Sequence, residues 1–429
     1  MGGVGRPRVA LVSSSYHPHL GGVESHVRHV ARELRRSGTE VEVWTVDRGE
    51  HLGVTELDGT VVRHLPTPLP ARTARALVSF GLAAPRAWHA WRSASRSFRP
   101  ELLHVHCFGP NGLYAAALAR RTGIPLVLSS HGETFMDDHD AFGTSALMRE
   151  GLRRTVAVAA ATTGCSEQVL DDLRDRFGLV GGSVVPNGVG PVPTAPPSGT
   201  MPDDLDLADG PLVVGVGRLE MTKGFDLLVE AFAGVGADLR ATLVLGGDGS
   251  QREALRALGE RLGLGDRLRL LGALDEAGVD RWMRRADVVV MPSRREAFGI
   301  VALEAWRAGT PLVATSLGGP ASFVTDGVDG VLVDPVNTGA LAHVVDSLLR
   351  DPERRAAVGA AGEASARRYS WHAVAQSYAA LHAQVLGPDA DGGPAQVKEQ
   401  VNEQVNEQVN EQGSEQGSEQ GSEQGSEGP

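Results

Sequence analysis

Short apolar runs alternate with amphipathic ones along most of this chain, and the series occurs twice. Arg8-Val-Ala-Leu-Val12 is followed by the turn-rich Ser13–Gly22, and then by Val23, Val27, Val30, Ala31 and Leu34 at helical spacing. Gly38 stops that helix, and Val41-Glu-Val-Trp-Thr-Val46 reads as the next strand. Further strands are expected at 61–65, 102–106, 125–129, 160–163 and 183–185, with helices between them. The series breaks at Gly190-Pro-Val-Pro-Thr-Ala-Pro-Pro-Ser-Gly-Thr-Met-Pro202, a stretch that favours neither helix nor central strand. It restarts at Leu212-Val-Val-Gly-Val216 and continues with strands at 241–245, 268–271, 287–291 and 312–314, separated by helices at 224–233, 251–262 and 275–285 and a Glu-rich helix after 299. Alternation of this kind demands crossover connections and therefore largely parallel sheets with helices on both faces. The expectation is an α/β protein of two doubly wound domains, 1–189 and 211–370, joined by a hinge at 190–210. Such sheets take ligands at the carboxyl ends of their strands.

The remainder of the chain, 388–429, is different in kind. Val-Asn-Glu-Gln repeats from 401 and gives way to Gly-Ser-Glu-Gln repeats, with too little apolar content for a core. This tail is expected to be a disordered, solvating extension. It also distorts the charge balance. The net charge is −12 over 429 residues, and residues 397–429 alone carry eight Glu and one Lys. The body is close to neutral, so bulk charge points to no nucleic-acid partner. Two cysteines, Cys107 and Cys165, imply no disulfide framework and no thiolate metal site. No run of 18 apolar residues and no signal-peptide pattern is present, which makes a reducing cytoplasm the expected location.

The chemistry concentrates in the second series. Gly215-Val-Gly217-Arg218-Leu-Glu-Met-Thr-Lys223-Gly224 follows its first strand. Glycines there admit a ligand to the backbone, Arg218 offers a planar fork for phosphate, and Lys223 adds a point charge. Glu296-Ala-Phe-Gly-Ile-Val-Ala-Leu-Glu304 follows a later strand and a Pro-Ser turn, so Glu296 lies in a loop, Gly299 opens a helix, and Glu304 falls one to two turns inside it. Free N–H groups at that helix start favour an anion, and two carboxylates suit sugar hydroxyls. A ligand that is both phosphate and sugar is a nucleotide sugar. Gly246-Gly-Asp-Gly249 reads equally as a contact to the base or as a plain turn.

Gly217-Arg218-Leu219 with Lys223-Gly224, then Glu296 to Glu304, then Gly309-Thr-Pro311, resemble the donor domain of family 4 glycosyltransferases, and Gly21-Gly22-Val-Glu24 and Pro186-Asn187-Gly188 resemble that family's first domain. The resemblance spans roughly residues 8–386. It implies the GT-B fold, with two Rossmann-like domains facing a central cleft, and a final helix at 371–387 crossing back to the first domain. It implies a retaining transfer of a hexose or N-acetylhexosamine from a nucleotide-diphosphate sugar, UDP-sugar favoured, to a hydroxyl acceptor.

By the same resemblance Arg218 and Lys223 neutralise the donor diphosphate, Glu296 holds hydroxyls of the transferred sugar, Phe298, Gly299 and Ile300 give backbone contacts, and Glu304 accepts the ribose hydroxyls. Gly21, Gly22 and Gly217 complete the donor set. His131 is expected at the transferred sugar, so His131, Glu296, Arg218 and Lys223 form the catalytic group. No metal and no other cofactor is required, because fixed cations serve the leaving group.

The first domain is expected to hold the acceptor, a small molecule or glycan, through His106, Glu133, Asp137 and Asp138. His104 and His106 flank Val105, and one of them is expected to face the cleft while the other packs; their spacing looks poor for a metal site. Asp137-Asp138-His139-Asp140 lines the acceptor site or is simply solvated, and Asp204-Leu-Asp206 sits in the linker, away from a strand end. The pattern departs from the family where Gly190 replaces an expected Asp and where Gly318-Gly319 lacks a following Glu. Residues 71–99 carry Arg72, Arg75, Arg86, Arg92, Arg96 and Arg99 with Trp88, Trp91 and Phe98 and no acid, which suits an ordinary basic helix face or a peripheral membrane contact. An epimerase or a sugar-nucleotide sensor would use the same donor motifs.

Overall fold

The computed structural model describes residues 6–19, 21–70, 73–136, 140–194, 205, 207, 209–235 and 237–387. The chain divides into two compact units. One holds the chain up to Pro186 together with the segment from Trp371 onward, and the other is Asn187–Ser370.

The first unit runs β1 (Arg8–Ser13), α1 (Gly22–Arg36), β2 (Glu40–Val46), β3 (Val54–Leu57), β4 (Thr60–Leu65), α2 (Ala74–Phe98), β5 (Leu102–His106), α3 (Pro110–Thr122), β6 (Leu126–Ser130), α4 (Ala141–Thr144), α5 (Ala146–Val158), β7 (Ala161–Gly164), α6 (Glu167–Phe177) and β8 (Ser183–Val184). Its eight strands lie in the order β3-β4-β2-β1-β5-β6-β7-β8. All pairs are parallel except β3 with β4. The strand order reverses at β1, which pairs with β2 on one side and β5 on the other, so the carboxyl ends of β1, β5 and β6 frame the place where such sheets take ligands.

The second unit runs β9 (Leu212–Val216), α7 (Phe225–Ala233), β10 (Thr242–Gly246), α8 (Arg252–Arg261), β11 (Leu268–Gly272), α9 (Glu276–Arg285), β12 (Val288–Met291), α10 (Ile300–Arg307), β13 (Leu312–Thr315), β14 (Val331–Val333), α11 (Thr338–Arg350) and α12 (Pro352–Ala366). Its sheet is wholly parallel, in the order β11-β10-β9-β12-β13-β14, and reverses at β9. The four central strands β10, β9, β12 and β13 are buried on both faces, as continuous apolar runs such as Val288–Met291 require, while edge strand β11 is half-buried. Val213, Leu243, Val288 and Val313 pack against Leu228, Phe232, Leu341 and Val345 in its main core.

The last helix, α13 (Trp371–Leu386), belongs to the first unit. Its buried residues Trp371, Val374, Tyr378, Leu381 and Val385 recur at helical spacing and join Val27, Val30 and Leu34 of α1 in one core. Val189 forms a bridge with Ser370, and its N–H donates to Tyr369 O at 2.7 Å, both inside the second unit.

Two strands were not expected. Val54–Leu57 pairs with β4 through Asp58-Gly59, whose φ angles of 51° and 73° make a tight two-residue hairpin turn. Val331–Val333 is only three residues long and adds to β13 at the sheet edge. Most of the expected hinge, the expected Asp204 and Asp206, and the whole tail 388–429 lie outside the described residues. No described helix is long and apolar enough to cross a membrane.

Candidate active site

Three loops at the carboxyl ends of β9, β12 and β13 meet in the second unit. The loop after β9 carries exposed Arg218 and then a short 3-10 turn, Met221–Lys223, that leads through Gly224 into α7. The loop after β12 carries Pro292 to Gly299. These two are tied together: Arg294 N donates to Thr222 O at 2.9 Å, Arg294 Nη1 donates to Met221 O at 2.9 Å, and the Arg294 guanidinium grips both oxygens of Asp226 at 2.6 Å each. A bidentate pair of this kind fixes orientation as well as distance. It holds the Asp226 carboxyl below the usual carboxylate range despite the opposing effect of burial.

Gly224 is required by the same junction. Its φ is 66°, and a Cβ there would lie 2.1 Å from Pro292 O. No larger residue allows the two loops to approach so closely. The result is the central feature of the unit: Lys223 Nζ donates to Glu296 Oε2 at 2.7 Å, and Ser293 Oγ donates to the same oxygen at 3.0 Å. Glu296 is 6% exposed and the Lys223 side chain 20% exposed. Enclosing a carboxylate this far costs free energy that such partners offset. The Glu296 backbone is also fixed, since Gly319 N donates to Glu296 O at 2.8 Å and Glu296 bridges Gly318. The pair Gly318-Gly319, notable in the sequence only for the Glu it lacks, thus holds the acidic loop from β13.

Gly299 caps α10 with φ 96° and no side-chain cap, which leaves the first N–H groups of α10 without a side-chain acceptor from that residue. Phe298 turns the other way. Its ring is buried and stacks on Phe323 at 4.7 Å, beside Trp306 and Tyr369, so any contact it makes to a ligand is through its backbone. Ile300 is the first residue of α10. Glu304, one turn on, is half-buried; loss of hydration pushes its carboxyl up to about 7 against the pull of Arg307. Gly217 N donates to Gly246 O at 3.0 Å and Gly247 N to Gly272 O at 2.7 Å, so the Gly246–Gly249 stretch packs against the Arg218 loop. Glu220 adds to this, accepting from Ser250 N at 2.9 Å.

The first unit gathers histidines instead of charges. His26 from α1, His104 and His106 from β5, and His131 from the loop after β6 lie together beneath Tyr378 and His382 of α13. His382 Nε2 and His104 Nδ1 are 3.0 Å apart, His104 Nε2 and Ser129 Oγ 2.7 Å, and His106 Nδ1 and His131 Nε2 3.3 Å. Burial holds His104, His106 and His131 well below the ordinary histidine range, with neighbouring histidines adding to the effect, and takes His382 down to about 3. The rings are therefore neutral at pH 7. Gly21 and Gly22 open α1 on the exposed side of the same sheet end, Gly21 as an extended cap without a side-chain hydrogen bond.

Three expectations for this unit fail. His104 and His106 do not face opposite ways: both are fully buried, with ring centroids 4.0 Å apart, because residues two apart on a strand share a face. His106 is accordingly enclosed and presents nothing to an acceptor. Glu133 is likewise committed inward: its Oε1 accepts from Phe108 N at 2.8 Å, and its Oε2 accepts from His131 N at 2.8 Å and Ser130 Oγ at 2.9 Å. It shapes the His131 loop. His26 and His131, distant in sequence, lie beside His106 in space. Asp137 and Asp138 lie outside the described residues.

Two units of this build, each a doubly wound and largely parallel sheet, make up the GT-B architecture. Known proteins agree. A model described as Glycosyltransferase Family 4 matches residues 20–191, and one described as Glycosyl transferases group 1 matches residues 201–365. A D-inositol 3-phosphate glycosyltransferase from Xylanimonas cellulosilytica is 31% identical over 425 residues, covering 90% of this chain and 98% of its own. Sucrose-phosphate synthase from Thermosynechococcus elongatus shares the fold with a TM-score of 0.74 at 23% identity, over 89% of this chain and 99% of its own. Anabaena HepE, solved in complex with UDP-glucose, shares it with a TM-score of 0.68 at 22% identity, over 88% of this chain and 99% of its own. The chain belongs to glycosyltransferase family 4, and it is a glycosyltransferase.

Proposed function

We propose that this enzyme moves a hexose or N-acetylhexosamine, with retention, from a uridine diphosphate sugar to a hydroxyl of a phosphorylated polyol such as an inositol phosphate. The observation that carries the donor half is the Lys223–Glu296 pair at 2.7 Å beside exposed Arg218. An ammonium has three donors, and Lys223 spends one on Glu296. Its remaining donors and the Arg218 fork meet the diphosphate. As the glycosidic bond breaks, the leaving diphosphate gains charge, so fixed cations stabilise the transition state more than the ground state and no metal is required. Glu296 holds sugar hydroxyls, Phe298, Gly299 and Ile300 present backbone, and Glu304 accepts the ribose hydroxyls. His131, neutral and partly exposed, orients a hydroxyl of the transferred sugar. The working route is front-face departure and attack without a covalent glycosyl-enzyme. The D-inositol 3-phosphate and UDP-glucose in the names of the relatives support the choice of substrates.

The test is a titration in the presence of chelator with UDP, GDP, UDP-glucose, UDP-N-acetylglucosamine and GDP-mannose, read by melting temperature and donor hydrolysis. Transfer is then assayed with inositol 3-phosphate and free inositol. Stabilisation by uridine nucleotides that is lost in Arg218→Ala is the expected result. Indifference to every nucleotide, or a trapped glycosyl-enzyme, would sink the corresponding half of the reading.

A membrane-surface acceptor is favoured by one separate observation. Leu77, Val78 and Leu82 of α2 are 50%, 65% and 68% exposed, with exposed Arg75 and Arg86 on the same segment. Trp88 and Trp91 do not share in this, because Trp91 is buried and donates to Pro66 O while Arg121 covers Trp88. Flotation with anionic vesicles, abolished by Leu82→Glu, is expected on this reading; protein that stays with the soluble fraction removes it.

A further inference from the structure

The histidines of the first unit pose a problem that sugar transfer does not solve. His106 Nε2 is fully buried and has no hydrogen-bond partner. Buried polar atoms left bare are uncommon, and each one calls for an explanation. One ring nitrogen of His26, one of His106 and one of His131 lie within 4.8 Å of one another. The three residues come from α1, from the end of β5 and from the loop after β6, so three separate elements hold the triangle open.

We propose that His26, His106 and His131 bind one transition-metal ion of the Zn2+ type, with a fourth coordination position left open. The chemistry of the set selects the ion. Three imidazoles without a carboxylate favour zinc, cobalt, nickel or copper over magnesium and calcium. An ion satisfies a bare imidazole nitrogen without needing a proton on it. The surroundings resemble an outer shell that orients ligands. Tyr378 Oη lies 3.3 Å from His26 Nε2, the His104 ring lies against His106, and the Glu133 carboxylate accepts from His131 N. His131 is the partly exposed member, and through it the ion enters and the fourth position opens.

Occupation has a consequence for turnover that rests on the proposed role of His131. A ring bound to metal no longer orients a sugar hydroxyl, so the ion inhibits. The metal-binding claim itself is independent of the donor site.

The experiment uses untagged, chelator-treated full chain and titrates it with Co2+. One equivalent should give the intense visible absorption of low-coordinate cobalt, and Zn2+ should bleach it at one equivalent while excess Mg2+ does not. The His106→Gln variant should lose the band, or weaken binding at least about tenfold, and surface His343→Gln should keep it. Should His106→Gln fail to fold, His131→Asn replaces it, since that side chain is partly exposed. No band at one equivalent overturns the proposal, and so does a band that survives both substitutions. Transfer activity that falls with Zn2+ and returns with chelator supports the inhibitory consequence. Unchanged activity with the band present would leave the site standing and remove His131 from the reaction.

Discussion

The two units build their sheet ends from opposite materials. In the second, a lysine is paired with a buried carboxylate: Lys223 and Glu296 stand at 2.7 Å with Ser293 on the same oxygen. In the first, His104, His106, His131 and His382 are kept neutral by burial and by their neighbours. Fixed charge suits a leaving diphosphate. A neutral, enclosed ring suits orientation of a hydroxyl, or the lone pair a metal needs. The difference is one of solvation: a buried charge must be paired, whereas a buried imidazole can discharge itself by losing its proton.

The largest expected effect comes from breaking the charged side. Glu296→Gln keeps the shape and removes the charge, and kcat should fall by roughly 10²–10³ with the melting temperature little changed. Near-normal turnover would show that Glu296 only anchors Lys223. Gly224→Ala attacks the same pair through the backbone. A Cβ 2.1 Å from Pro292 O at φ 66° forces the two loops apart, and a loss of about 1–3 kcal/mol of stability together with donor binding is expected in denaturant titration. If stability falls but donor affinity does not, the junction is merely structural.

Acid should break the neutral side first. The affected histidines have folded pKa values below the unfolded value near 6.5, with His29 and His382 at about 3. Their contribution is complete above pH 6.5 and is lost as pH falls toward the folded values, because the unfolded chain then binds the protons. Each costs up to about 1.4 kcal/mol per pH unit. Fluorescence and proteolysis between pH 7 and pH 4 should show the first unit opening before the second. The reverse order would mean that these rings protonate without unfolding the unit.

Glu304 sharpens the comparison at its weakest point. Its folded pKa of about 7 lies above the unfolded value, so its stabilising contribution is present at low pH and lost as pH rises toward and past 7. Glu304→Gln should therefore stabilise the free enzyme at pH 8 by about 1 kcal/mol and weaken nucleotide binding. Equal stability of the two proteins at pH 8 would show that the carboxylate is already well solvated.

Much of the fold was legible because parallel sheets need apolar strands and amphipathic crossovers, and both leave a periodicity in one dimension. The loop position of Glu296 and the helix start at Gly299 were legible for the same reason. The β3–β4 hairpin carried its own local signal, Asp58-Gly59 between two β-rich runs, and is masked only by the alternating helix-and-strand pattern around it. The shared face of His104 and His106 was likewise written in their spacing. The inward turn of Glu133 left no such trace, since a carboxylate beside a strand end looks the same whether it meets solvent or three hydrogen-bond donors.

The order of strand and helix and the doubly wound class were thus determined by the sequence alone, through local propensity and periodicity. The tertiary structure decided which distant residues meet. Gly224 has meaning only against Pro292, Lys223 only against Glu296, and the three histidines from α1, β5 and the loop after β6 only against one another. Those contacts are long-range, so they appear once the sheets have formed and brought the strand ends into register.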